Sequence, residues 1–331
     1  MRAPAFWAEN RPSLAARALQ PISLVYGALA ARRMARPGER AAVPVVCIGN
    51  FVVGGAGKTP AAIAVASLLA AMGETVAFLS RGYGGAGGVT PIAVDPKRHA
   101  FAEVGDEPLL LARVAPCFVA RDRLRAAQAA IAAGASVLVL DDGLQNPALA
   151  KDFSLAMIDG GFGFGNGLCL PAGPLRAPLA AQWPHVSMAV VVDGPDRAAK
   201  AWRPVEGRPV AAARLAPDPV AAARLKDRNI LAFAGIGRPE KFFSTLASLG
   251  ARLAVTRGFP DHHPYAKREL DALFAEAAGK GLIVATTEKD FVRLPGEYQR
   301  QAIVLPVVLR FDEEPLIARL LAEALARRRA G

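Results

Sequence analysis

Lys58 and Thr59 follow a run of small residues, Gly54, Gly55, Ala56 and Gly57. That order could do phosphate chemistry. Glycines let backbone N–H groups close around phosphate oxygens, and a helix starting at the lysine adds its partial positive charge. In such a loop Lys58 reaches the outer phosphates and the Thr59 hydroxyl sits on Mg2+. The full spacing pattern also asks for a glycine where Val52 stands. The defect lies at the start of the loop, with Val53 after it, and leaves the residues nearest the phosphates intact. A glycine-rich turn that binds nothing is the simpler alternative.

A second set of residues is acidic. The apolar run Val137 to Leu140 leads straight into Asp141-Asp142-Gly143. Acids delivered at a strand end suit a Mg2+-nucleotide site opposite a glycine loop. Neighbours on an extended chain point to opposite sides, so one of the two is expected to face the metal. Asp106 opens a helical run after Gly105. Its spacing alone favours a helix cap, although a carboxylate there could also take a proton from a substrate hydroxyl. Asp261-His262-His263 offers a loop histidine that could orient a carboxylate. Adjacent histidines lack the spacing of a zinc site. Arg81 and Tyr83 end another strand and could meet phosphate and adenine. Thr286 to Asp290 also ends a strand, with no chemistry assigned.

These residues need a scaffold that presents strand ends. Val43 to Ile48 reads as a buried parallel strand, and the segment after Pro60 as a helix ending at Gly73. Further strands are expected at 75–79, 117–120, 137–140, 153–158 and 186–192, with a helix at 121–133. Strands alternating with helices imply a mostly parallel sheet covered on both faces. Residues 194–226 turn basic and proline-rich, which reads as a linker, with an extended piece at 210–215. A second α/β run follows, with strands at 230–234, 253–256, 282–286 and 303–309. Its helices are expected at 239–249, 266–278 and 315–329. The expected fold class is thus α/β: two doubly wound, mostly parallel sheets, the first of P-loop NTPase type. The expected units are an N-terminal segment 1–40, a kinase-like domain 41–194, a linker 195–228, and a domain 229–331 that closes the cleft.

The chain has 331 residues, 53% hydrophobic and 21% charged, with a net charge of +11. It can build a large core and is not a disordered chain. The charge favours anionic partners such as nucleotide, phosphorylated substrate, nucleic acid or an acidic membrane surface; a skew from an Ala- and Arg-rich composition accounts for it equally well. Three well-separated cysteines, Cys47, Cys117 and Cys169, with no CxxC pair, read as reduced buried thiols of a cytosolic protein. The first forty residues hold seven arginines and two glutamates around the fourteen-residue uncharged run 18–31. That run is too short to span a bilayer and lacks a signal-peptide cleavage pattern. It suits a helix lying at the membrane interface, or a helix packed on the domain.

The chain resembles the tetraacyldisaccharide 4'-kinase family of lipid A biosynthesis. The likeness runs nearly full length through GNFVVGGAGKTP, SRGYGG, VGDEP, LDDGLQN, LPAGPLR, FAGIGRPEKFF, FPDHHPY and TTEKDFVRL. It implies transfer of the ATP γ-phosphoryl group to the 4'-hydroxyl of a tetraacylated glucosamine disaccharide 1-phosphate. ATP and Mg2+ are the implied cofactors. The implied setting is the cytoplasmic face of the bacterial inner membrane, bound peripherally to its anionic surface, as a monomer, with no nucleic acid partner. By the same resemblance Asp106 is the catalytic base and His262 its partner, which reverses the cap reading. Lys58 and Thr59 take the glycine-loop roles. Asp141, Asp142 and Gln145 form the metal segment, and Tyr83 and Arg176 contact nucleotide and phosphate. Two positions depart from the family: Ala177 stands where an acid is common, and Asn146 where histidine is. Competing readings are a P-loop ATPase or GTPase switch and a membrane-bound nucleotide sensor. Against the switch, Thr287-Glu288-Lys289-Asp290 has its lysine one place late for guanine reading. Val53 also stands where dimeric ATPase switches carry a lysine.

Overall fold

The computed structural model describes residues 4–9, 11–193 and 207–330. Strand β1 (Val45–Asn50) is the axis of the larger sheet and is buried at every position. Its side chains alternate between two cores. Val46 and Ile48 face the helices Lys58–Ala71 and Glu314–Ala330, whereas Val45 and Cys47 face the helix Arg123–Ala132 and the Trp183 region. A strand buried on both faces must be apolar throughout, which is why VVCI reads as an unbroken run. The three cysteines are free and buried, as expected.

Around β1 lie β2 (Val76–Ser80), β3 (Ile92–Ala93), β4 (Cys117–Val119), β5 (Val137–Asp141), β6 (Phe153–Asp159), β7 (Met188–Val192) and β8 (Val210–Pro217). With β13 (Val307–Phe311) they form a nine-stranded sheet in the order β13-β8-β7-β6-β1-β5-β2-β4-β3. Only the β3–β4 and β13–β8 pairings, one at each edge, are antiparallel. From β1 the chain crosses to β2, beyond β5; from β5 it crosses to β6, on the other side of β1. This change of direction opens a crevice at the carboxyl ends of β1 and β5.

The smaller sheet is β10-β9-β11-β12, from β9 (Asn229–Ala234), β10 (Arg252–Gly258), β11 (Ile283–Thr287) and β12 (Ala302–Leu305). All its pairings are parallel. Its two faces carry the helices Pro239–Ser248 and Lys267–Gly279.

Three expectations need correction. The expected strand 303–309 is two strands. Pro306 has no N–H to give to a ladder, so β12 ends before it and β13 begins after it in the other sheet. The chain therefore returns to the larger sheet, and its last helix buries Ile317, Leu321 and Leu325 beside the helix that follows the glycine loop. The second unit thus does not run to residue 331. The expected linker is also partly built: β8 pairs β7 and β13, and Pro219–Leu225 is a helix capped by Asp218. The remainder of that linker, 194–206, lies outside the described residues.

The N-terminal helix, Leu14–Met34, has 21 residues and so exceeds the uncharged run. It takes in Arg17, Arg32 and Arg33, and by length and composition alone it is long and apolar enough to cross a membrane. Ala16, Ser23, Gly27 and Met34 are its buried positions. Ser23 donates to the Cys169 carbonyl at 2.7 Å. Leu14, Ile22, Leu24, Val25 and Leu29 are exposed, each above half.

Candidate active site

The glycine loop sits where β1 meets the helix Lys58–Ala71. Gly57, the residue before that helix, has φ 76°, a left-handed conformation costly for any residue with a Cβ. Gly54 has φ 118°. Val52 is buried and bridged to Leu175, so the place without the glycine is an ordinary apolar contact. Val53 donates its N–H to the Pro174 carbonyl at 2.9 Å. Lys58 folds back over the loop: its Nζ donates to the Gly54 carbonyl at 3.2 Å and lies 3.8 Å from Asp142.

The two aspartates take different partners, and Asp142 is a turn residue rather than part of the extended chain on which the expectation of opposite sides rested. Asp141 is paired with Ile48 across β1–β5, and its Oδ2 accepts from the Thr59 hydroxyl at 3.2 Å. Its Oδ1 is buried with no hydrogen-bond partner. Burial first, then the charges of Glu107 and Asp142, push the Asp141 carboxyl well above the usual carboxylate range. The Thr59 hydroxyl and the Asp141 carboxylate, one of whose oxygens has no partner, are hard-oxygen donors that a divalent cation would satisfy. Among the described residues no cluster of three His, Cys, Asp or Glu side chains forms a dedicated metal cage. That fits Mg2+, which keeps waters and phosphate oxygens among its ligands.

Asp142 turns the chain, with φ 55°. Burial works to raise its carboxyl, but Lys58 and Arg176 outweigh it and hold it below the usual range. Arg176 bonds Asp142 at 2.9 Å and the Val52 carbonyl at 3.0 Å, tying the LPAGPLR segment to the loop. Gln145 donates to the Asn50 carbonyl and to Gln182 Oε1, both at 2.7 Å. Its amide nitrogen thus anchors the segment after Asp142 to the end of β1. Ala177 is fully buried, and its carbonyl accepts from Gln182.

The segment carrying Asp106 is set by glycines. A Cβ on Gly82 would lie 2.8 Å from the Val104 carbonyl oxygen, and one on Gly105 2.7 Å from that of Tyr83. SRGYGG and VGDEP therefore pack backbone against backbone, which fixes where the helix Asp106–Leu111 starts. Asp106 is 2% exposed. Its Oδ1 accepts only the Glu107 N–H, at 2.8 Å. Its Oδ2 takes His262 Nδ1 at 2.9 Å, Arg293 Nε at 2.8 Å and Arg293 Nη2. Burial opposes the charge, yet the His262 hydrogen bond, Lys289 and Arg293 prevail and hold the carboxyl well below its usual range. His262 stands at φ 56° in the loop after β10, and its ring meets that of the exposed Tyr83 edge to face with centroids 5.2 Å apart.

Sequence reasoning missed two members of this cluster, Arg293 and Lys289. Arg293 is fully buried and also bonds the Gly235 carbonyl and Asp290. Lys289 pairs with Glu107 at 2.6 Å. Both come from the TTEKDFVRL stretch, which had no chemistry assigned. The signal was present as an acid-base alternation at a strand end, but its partners are some 180 residues away. A second clasp joins the sheets at the carboxyl ends of β6 and β7. There Asp159 holds Arg238 and Lys241, and Lys241 also reaches Asp193 at 3.3 Å. Between the clasps a Cβ on Gly237 would stand 3.7 Å from the Gly55 nitrogen, so the smaller unit lies over the glycine loop.

Residues 15–325 match the family described as LpxK, Tetraacyldisaccharide-1-P 4'-kinase. The chain is 56% identical to the Tetraacyldisaccharide 4'-kinase of Methylobacterium sp. (strain 4-46), covering 100% of both chains. It is 49% identical to that of Rhodospirillum rubrum, over 97% of this chain and 98% of the other. Its fold superposes with a TM-score of 0.73 on a crystal structure of "apo" form LpxK from Aquifex aeolicus in complex with ATP. That match is 24% identical and covers 94% of this chain and 99% of the other.

Proposed function

The chain belongs to the LpxK family of tetraacyldisaccharide-1-P 4'-kinases, and on that premise we propose how its residues carry out the transfer. The reaction moves the γ-phosphoryl group of ATP to the 4'-hydroxyl of the lipid A disaccharide precursor. One observation carries the assignment of roles: the Lys58 loop and Asp141 occupy the crevice of the larger sheet, while His262, Lys289 and Arg293 reach across from the smaller unit to Asp106 and Glu107.

Phosphoryl transfer asks for positioning and charge neutralisation more than covalent help. The loop amides and Lys58 hold the phosphates. Thr59 and Asp141 would hold Mg2+, which neutralises phosphate charge when bound. Asp142 and Arg176 brace Lys58 and the loop. Asp106 keeps its charge at neutral pH, and its Oδ1 has lone pairs to spare. It therefore orients the sugar hydroxyl and accepts its proton late, as a loose transition state allows. His262 and Arg293 fix Oδ2, so the carboxylate cannot rotate away. Tyr83, exposed beside His262, is available to a nucleotide or sugar ring. The readings as a switch or a nucleotide sensor have no support in the family match.

The protein would work peripherally at the cytoplasmic face of the inner membrane. The support is the apolar outer face of the helix Leu14–Met34, with arginines at both ends. A monomer suffices, because one chain supplies both sides of the cleft. Detergent-solubilised protein with Mg-ATP and a 1-phosphorylated acyl-glucosamine disaccharide should yield a bisphosphate, and Asp106→Ala should abolish turnover while ATP still binds. No product from the wild-type protein, with ATP bound, overturns the kinase reading. Near-normal turnover of Asp106→Ala returns that residue to a helix cap.

A further inference from the structure

A cavity of about 380 Å3 opens away from the transfer crevice, at the end of the N-terminal helix and beside the first residues of β6. Arg36, Lys151, His185 and Arg208 line it, together with Ser154 and Ser187. No aspartate or glutamate among the described residues lines it. Among the described residues none of these four basic side chains makes an ion pair, although the protein contains many such pairs elsewhere. Lys151 is half-buried and held by the carbonyls of Asn146 at 2.5 Å and Leu144 at 3.4 Å. These bonds fix the ammonium, and among the described residues its charge has no counter-ion.

Gathering like charges around one cavity is unfavourable unless an anion offsets them. Like charges brought together in a partly desolvated cavity repel one another. The field is felt locally: burial and the Lys151 charge together lower the His185 pKa. Arg32 and Arg33, in the last turn of the N-terminal helix, offset the partial negative charge of its C-terminus.

We propose that this cavity is a binding site for a phosphate monoester or diester, separate from the transfer site. Arginine forks and a lysine point charge suit phosphate oxygens, and the two serines supply neutral hydrogen bonds. Two sources fit this chemistry: the headgroup of an anionic lipid beneath the N-terminal helix, or a small phosphate from solution.

The test uses the full chain with its ATP site saturated by a non-hydrolysable Mg-nucleotide. The probes are inorganic phosphate, read by thermal stabilisation, and vesicles of phosphatidylglycerol or of phosphatidylcholine, read by co-sedimentation. Lys151→Gln/Arg208→Gln should weaken binding of phosphate or of phosphatidylglycerol vesicles on the order of tenfold. Arg252→Gln/Arg268→Gln removes the same charge from exposed positions of the smaller unit, away from the cavity and the N-terminal helix, and should change it less than about threefold. Arg36→Gln/Arg208→Gln, which keeps the Lys151 bonds to the chain, guards against misfolding and should match the first pair. Response to phosphatidylglycerol alone identifies a headgroup; response to inorganic phosphate identifies a soluble ligand. Equal losses in cavity and control variants, or no response to either probe, overturns the proposal.

Discussion

Removing Arg293 tests the joint between the two units most directly. The guanidinium is fully buried, and three of its nitrogens are committed: two to Asp106 Oδ2 and one shared by the Gly235 carbonyl and Asp290. Truncation to alanine leaves Asp106, 2% exposed, with only His262 and the Glu107 N–H, and strips the Gly235 carbonyl of this donor. Breaking a buried pair by removing one partner costs about 3–5 kcal/mol, and Arg293→Ala should fall in that range by urea denaturation at pH 7. Arg293→Lys keeps the charge but not the fork and should recover only part of it. A double-mutant cycle with Asp106→Asn should show a coupling of roughly 0.5–3 kcal/mol. Turnover should drop in Arg293→Ala, because Oδ2 is no longer clamped. A loss below about 1 kcal/mol, with the two substitutions additive within about 0.5 kcal/mol, would refute the idea that Asp106 is held by charge from the smaller unit.

Lys58→Ala should lower turnover by on the order of 100- to 1,000-fold, as losing a preorganised electrostatic contact does; a loss under tenfold in a coupled ADP-release assay would remove Lys58 from the phosphates. Acid stability should carry the mark of Asp106. Its folded pKa lies below its unfolded value of about 3.9, so its contribution is present above that pH and is lost as pH falls toward the folded value. Asp106→Asn should therefore flatten the decline of stability between about pH 5 and pH 3, and an unchanged slope in pH-dependent urea melts argues against the depressed carboxyl. Leu24→Glu/Leu29→Glu changes two exposed side chains of the N-terminal helix and should release the protein from sedimented membranes; unchanged partition would leave that helix as a packing element only.

Local signals determined much of this protein. An all-apolar run followed by glycines and Lys58-Thr59 can fold in few other ways than strand, loop and helix, because only glycine accepts φ 76° at residue 57 without strain. The same holds for VLVLDDG, whose last residues must leave the sheet at its carboxyl end. Residues 303–309 misled because apolar content alone hides a break, and Pro306 is the physical reason the chain changes sheets there. The reach of the last helix back to the first core, and β8 within an apparent linker, were invisible for a related reason. Pairing partners far apart in the chain leave no periodic trace in either one.

The catalytic-site candidates divide in the same way. Lys58, Thr59 and Asp141 could be placed from neighbouring residues, the first two by the glycine loop and the third by the apolar strand that ends on it, although the pairing that sets Ile48 beside Asp141 is itself tertiary. Asp106 could not. Its spacing reads as a helix cap, only the family resemblance names it and His262 together, and the packed structure adds Lys289 and Arg293 from another sheet. Chain order decides which side chains exist and what local backbone they adopt. Tertiary structure decides which charges are buried together, and burial is what turns a capping carboxylate into a clamped one.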